Sequence, residues 1–132
     1  MTRHNTESRV YEGADIIDSR DVIERIEELE SLEADATDDE PMLEEDAEEL
    51  KRLRALAEDL EGYCSDWRHG ETLIADAYFA TYAEELASDI GAIDRNARWP
   101  LNHIDWNAAA DELKQDYTSA EYGQTTYWAR CS

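Results

Sequence analysis

Lysine is close to missing from this sequence. Lys51 and Lys114 stand beside ten arginines and against 34 acidic residues. Nucleic-acid binding rests on Lys and Arg contacts to phosphate, so direct binding to nucleic acid is not expected. Binding to an anionic membrane surface fails for the same reason. Long apolar runs are lacking too, and none approaches the ~18 residues that a membrane helix needs. The opening stretch "MTRHNTESRVYEGAD" has no apolar core and no cleavage-site pattern, unlike a signal peptide. The expected location is the cytoplasm, that of a host cell if the chain is foreign to it. Cysteine is scarce: Cys64 and Cys131 are too few for a disulfide framework, and a reducing cytosol favours free thiols. No G-x-S-x-G, P-loop or H-E-x-x-H pattern occurs. Cys64 and His69 lie five residues apart, with His103 and Cys131 far off, which is not the paired ligand spacing of a zinc site. Acid pairs such as Glu44 and Glu48 would need a cleft that separates their pKa values, and among so many acids such pairs arise by chance. The expectation is a protein that is not an enzyme, with no catalytic residues, metal or cofactor.

What is abundant is negative charge. The formal net charge is -22, and from Asp21 to Leu50 15 of 30 residues are Asp or Glu with Arg25 as the lone cation. Self-repulsion on this scale destabilises a compact state. Disorder would explain it, but disordered acidic chains are poor in aromatics, and this one has seven Tyr and four Trp in 132 residues. Adaptation to concentrated salt would also explain it, and would deplete lysine. Such adaptation should coat the whole surface, whereas these acids concentrate between Asp21 and Glu49. The third explanation is that the charge is a working surface for something that binds polyanions.

Apolar spacing organises the acidic block. Residues 1–15 lack periodicity and read as a loose tail. With Ser19 as N-cap, Val22, Ile26 and Leu29 recur at helical spacing and predict a helix over 20–34. "DATDDEP" breaks the pattern. Pro41 suits the first turn of a second helix, whose stripe of Leu43, Ala47, Leu50, Leu53, Ala57 and Leu60 runs to Glu61 before Gly62. A short link between two striped helices predicts an antiparallel hairpin over 16–62. Residues 63–132 predict a small α+β module. It has a helix over 71–90 with Ile74, Ala77, Tyr78, Tyr82 and Leu86 on one face. A short helix follows, capped by Asp105 and burying Trp106, Ala109, Ala110 and Leu113. Two strands joined through Gly123-Gln124 complete it. Trp128 joins Trp106 in the core of that module. The expected fold class is mainly α, an acidic helical hairpin followed by a module with a C-terminal β-hairpin.

B-DNA carries one charge per ~1.7 Å of axis. A half-acidic helix rising ~1.5 Å per residue carries one per ~3 Å, and two side by side one per ~1.5 Å. Such a hairpin would match the linear charge density of duplex DNA. The residues expected to present it to a partner are Glu24, Glu27, Glu28, Glu30, Glu33, Asp38, Asp39, Glu44, Glu45, Asp46, Glu48 and Glu49. Asp111, Glu112 and Asp116 are expected to extend the surface.

The segment from Tyr82 to Arg130 resembles the C-terminal domain of the ArdA-type antirestriction proteins. The features that carry the resemblance are a helix ending near Ile90, then Pro100, then "IDW" at Ile104 to Trp106. Ala110 and Leu113 follow as A-x-x-L, then Asp116-Tyr117 and an aromatic strand closing on "YWAR". The family's two N-terminal domains are not recognisable, and the acidic hairpin stands where they would be. The resemblance implies a DNA mimic borne by a phage or mobile element. Its partner would be a basic DNA-binding protein or nucleoprotein complex of host defence, with type I restriction-modification complexes as that family's usual target; because the N-terminal domains are not recognisable here, a CRISPR effector is the rival target. It also implies a homodimer formed through the C-terminal region. The alternatives are a halophilic acidic protein with an adaptor role, and a regulator that titrates a basic DNA-binding protein.

Overall fold

Two short apolar stretches become strands, and they change the architecture. The computed structural model describes residues 10–94 and 96–131. In it Ile16–Asp18 (β1) and Thr72–Ala75 (β2) join Thr118–Tyr122 (β3) and Thr125–Ala129 (β4) in one sheet. The order is β1-β2-β4-β3, antiparallel throughout, with Ile17 opposite Leu73, Ile74 opposite Trp128 and Ala120 opposite Tyr127. The expected C-terminal hairpin is thus half of a four-stranded sheet. Gly123 takes a positive φ of 64° at the first position of its two-residue loop, where type II′ turns require glycine.

The fold class is therefore α+β, a correction to the mainly α expectation. The cause is physical. β2 is buried on both faces, so Leu73, Ile74 and Ala75 form a continuous apolar run, which periodicity alone cannot tell from buried helix. The expected helix over 71–90 accordingly starts later, as Phe79–Asp89 (α3) after a 3₁₀ turn at Asp76–Tyr78.

The remaining helices are Ser19–Asp35 (α1), Glu44–Glu61 (α2) and Trp106–Leu113 (α4). Asp18, not Ser19, caps α1, its carboxylate accepting from the Arg20 N–H at 2.8 Å. Ser19 is fully buried; its hydroxyl donates to the Trp67 carbonyl at 2.7 Å and accepts from the Glu71 N–H at 2.6 Å. Those partners lie beyond the end of α2, while Leu32 and Asp35 share a hollow with Leu43 and Asp46 at its start. The two helices therefore run antiparallel.

Side-chain alternation along the strands splits the core in two. Ile17, Leu73, Ala75, Tyr122, Tyr127 and Ala129 face the hairpin, meeting Val22 and Leu29 of α1 and Leu50, Leu53, Leu56 and Leu60 of α2. Ile74 and Trp128 face the other way, toward Phe79, Ala83 and Ala110. Helices thus cover both faces of the sheet. The stripe of α2 is shifted from the expected one: Leu56 is in, while Ala47 and Leu43 are exposed near the start of the helix.

The expected loose tail is corrected over residues 10–15. Val10 and Ala14 are buried, and their carbonyls accept from the Tyr122 and Tyr127 hydroxyls at 2.9 and 2.7 Å. The rest of that tail, 1–9, lies outside the described residues. The free thiols expected at Cys64 and Cys131 are also corrected, because the structure joins them in a disulfide.

On the second face, Phe79 packs against Tyr82, Tyr117 and Trp128 with ring centroids 5.5, 5.2 and 6.2 Å away. Asp76 ties this layer together. Its Oδ1 accepts from Lys114 Nζ at 2.7 Å and from Trp128 Nε1 at 2.9 Å. The Lys114 hydrogen bond first, then that of Trp128, holds the Asp76 carboxyl below the usual carboxylate range. A carboxyl depressed in the folded state contributes stability that is complete above its unfolded pKa, ~3.9, and is lost as pH falls through the folded value. Asp76→Asn should cost about 1 kcal/mol at neutral pH, a modest figure because the side chain is half exposed. Urea titrations at stepped pH should show the gap between wild type and variant closing only below ~4. A gap independent of pH there would refute the role of the charge.

Candidate functional site

The acids of the hairpin do not all face outward. The helices turn Leu29, Leu50, Leu53, Leu56 and Leu60 to the sheet, and a residue in phase with two of these leucines at once faces the same way. Asp46 is four residues before Leu50 and seven before Leu53, and it is only 8% exposed. It faces the interior and is not a surface charge, which corrects its place among the partner-binding residues. Glu49 is half-buried and grips Arg25 through two bonds, Nε to Oε2 at 2.8 Å and Nη2 to Oε1 at 2.9 Å. Arg25 also reaches Glu28 at 3.0 Å. The bond from Glu49 is the main cause that raises the Arg25 pKa above its ordinary value. Arg54 Nη2 crosses to Glu30 at 3.0 Å and Glu33 at 3.3 Å. Four of the expected site residues are thus engaged by the hairpin's own arginines.

Seven remain. Glu24, Glu27, Asp38, Asp39, Glu44, Glu45 and Glu48 are exposed and, among the described residues, their side chains make no ion pair or hydrogen bond. Glu44, Glu45 and Glu48 come together around a shallow hollow that Leu43 and Arg52 also line. The hairpin keeps most of its charge despite the internal pairs. Residues 19–61 hold 18 acids and five bases, a net of -13. Spread along helices of ~26 Å at ~1.5 Å per residue, that is one net charge per ~2 Å, close to the ~1.7 Å of B-DNA.

Asp111, Glu112 and Asp116 are exposed but lie apart. Asp111 and Glu112 belong to α4 and Asp116 to the turn after it, in the layer that packs with α3 on the other face of the sheet. The structure does not join them to the hairpin surface. Glu58 and Asp59 of α2 are exposed acids that the sequence reading passed over. Glu58 lies ten residues from Glu48 and fourteen from Glu44, spacings that return to the same side of a helix, so the signal was present.

The Arg54 pairs are open to solvent, so they add little to folding. Arg54→Ala should change stability by less than about 1 kcal/mol. It should tighten binding to a polycationic partner several-fold by releasing Glu30 and Glu33. Equilibrium unfolding and a competition assay against duplex DNA read the two effects, and weaker binding by the variant would contradict the arrangement.

Trp67 is buried and Trp106 and Trp128 half-buried, while Trp99 is 76% exposed. No helix among the described residues is long and apolar enough to cross a membrane. Compared with known proteins, the chain matches no protein-family model, and neither a curated protein nor a solved structure is similar to it.

Proposed function

We propose that this protein is a non-enzymatic mimic of duplex DNA that occupies the DNA-binding groove of a bacterial defence complex. A restriction-modification enzyme or a CRISPR effector, met in the cytoplasm, is the target class. The observation that carries the reading is the set of exposed carboxylates, without side-chain partners among the described residues, on two helices and the loop that joins them, in a hairpin whose net charge spacing approaches that of DNA. Glu24, Glu27, Glu44, Glu45 and Glu48 are held by helices buried against a sheet, so their binding does not require ordering a flexible tail. A basic groove would exchange its counterions for this surface much as it does for phosphates. The resemblance of residues 82–130 to the ArdA-type C-terminal domain points the same way, toward a phage or mobile-element origin.

The test is capture from bacterial lysate at physiological salt, with elution by duplex DNA and identification by mass spectrometry. Recovery of a restriction or CRISPR subunit released by DNA is the expected result. Recovery of nothing that DNA displaces would end the proposal.

Adaptation to salt is the second reading, favoured by the near absence of lysine. It predicts unfolding in dilute buffer. The mimic should keep its helical circular dichroism there, and its urea midpoint should rise moderately as salt screens the repulsion between acids. Loss of structure below physiological salt would favour the halophilic reading.

A further inference from the structure

Three potential metal donors converge at the end of the sheet opposite the Gly123 loop. β4 ends at Ala129 and Cys131 lies two residues on; Glu71 directly precedes β2. Extending the register that pairs Ile74 with Trp128 by three residues puts Glu71 opposite Cys131. Cys64 arrives from the turn after α2, its N–H bonded to the Leu60 carbonyl at 2.9 Å and its carbonyl accepting from the Trp67 N–H at 3.0 Å. One ligand atom from each of Cys64, Glu71 and Cys131 lies within 4.8 Å of the other two. Cys64 is buried, and the other two are half-buried. The support behind them is fixed, because buried Ser19 bonds to the backbone of both Trp67 and Glu71.

We propose that Cys64, Cys131 and Glu71 form a zinc site that opens when the disulfide is reduced, so that disulfide and metal are alternative closures of one junction. A dithiol reductant gives two electrons to the Cys64–Cys131 bond and becomes a disulfide itself, leaving two thiols. Zn²⁺ then displaces two protons to solvent and binds two thiolates and the Glu71 carboxylate. Two sulfurs select zinc over Mg²⁺ or Ca²⁺, which prefer all-oxygen sites. Three protein ligands leave the fourth tetrahedral position to water. This inference is independent of the proposed function.

The test uses the full chain, reduced with a phosphine and titrated with Co²⁺ under argon, with Zn²⁺ added to displace it. One equivalent should bind with tetrahedral visible bands and thiolate-to-metal charge transfer, and Zn²⁺ should abolish both. The oxidised protein should show neither band. Cys131→Ser should lose most of the charge-transfer intensity. Loss of even an outer-shell partner weakens metal sites ~10–100-fold, so Glu71→Gln should weaken binding at least ~10-fold while keeping the charge-transfer band. If Cys131→Ser fails to fold, Glu71→Gln still decides. Equal, band-free binding to reduced and oxidised protein, or wild-type affinity in Glu71→Gln, would overturn the proposal.

Discussion

Replacing Glu44, Glu45 and Glu48 together by lysine is expected to weaken binding to the target roughly 10³-fold. These three carboxylates share one hollow and lack internal partners among the described residues, so their field is directed outward. An exposed ion pair contributes about 0.2–1 kcal/mol. Reversal removes that attraction and sets a like charge against the basic groove, which costs at least as much again. Over three positions the sum is about 4 kcal/mol, or ~10³-fold. Glu44 and Glu45 also lie in the first turn of α2, where acids complement the helix dipole. Lysine there costs about 0.3–1 kcal/mol per site, partly offset by relief of the net charge of -22. Helix content should therefore persist in circular dichroism while competition against duplex DNA fails. Glu49 is left in place because its removal would strip Arg25 of its half-buried partner. Reversal of Asp111, Glu112 and Asp116 in the other layer is the matched control, with a loss of no more than a few-fold from long-range charge. A triple variant of the hollow that still competes at wild-type strength would show that this surface is not the one used.

Some of this architecture was legible before any coordinates, for reasons that attach to particular residues. The helices over 19–35 and 44–61 and the cap at Asp105 follow from local spacing and local chemistry, and Gly123 marks its own turn. β1 and β2 were not legible: three residues "IID" are too few for an alternation, and "LIA" is apolar on both faces of the sheet. The fold class fails on those two strands. Within the site, the inward position of Asp46 could be read, since it is in phase with Leu50 and Leu53. The pairs of Arg25 with Glu49 and Arg54 with Glu30 could not. Each joins residues 24 apart across the hairpin, and depends on how the two helices are rotated about their axes. Sequence shows how many acids there are; only packing shows which are already bound.

The same limit hid the contact with the second large expected effect, the bond between Cys64 and Cys131. Its partners are 67 residues apart and meet because the turn after α2 and the end of β4 lie at one end of the sheet. Cutting that loop open frees the unfolded chain more than the folded one. For a closed loop of this length the chain-entropy relation gives about 4 kcal/mol at 25 °C. Against the 5–15 kcal/mol that holds most domains folded, that is a large share. Reduction under metal-free conditions should lower the urea midpoint accordingly and steepen the transition, because the unfolded chain without the cross-link expands and exposes more surface. Cys131→Ser should show the same loss under oxidising conditions and no further loss on adding reductant. That second comparison separates the cross-link from effects of the reductant itself. If reduction leaves the midpoint where it was, the two ends must already be held close in the unfolded chain, so that the cross-link removes little entropy from it. The disulfide would then contribute nothing to the closure of the sheet.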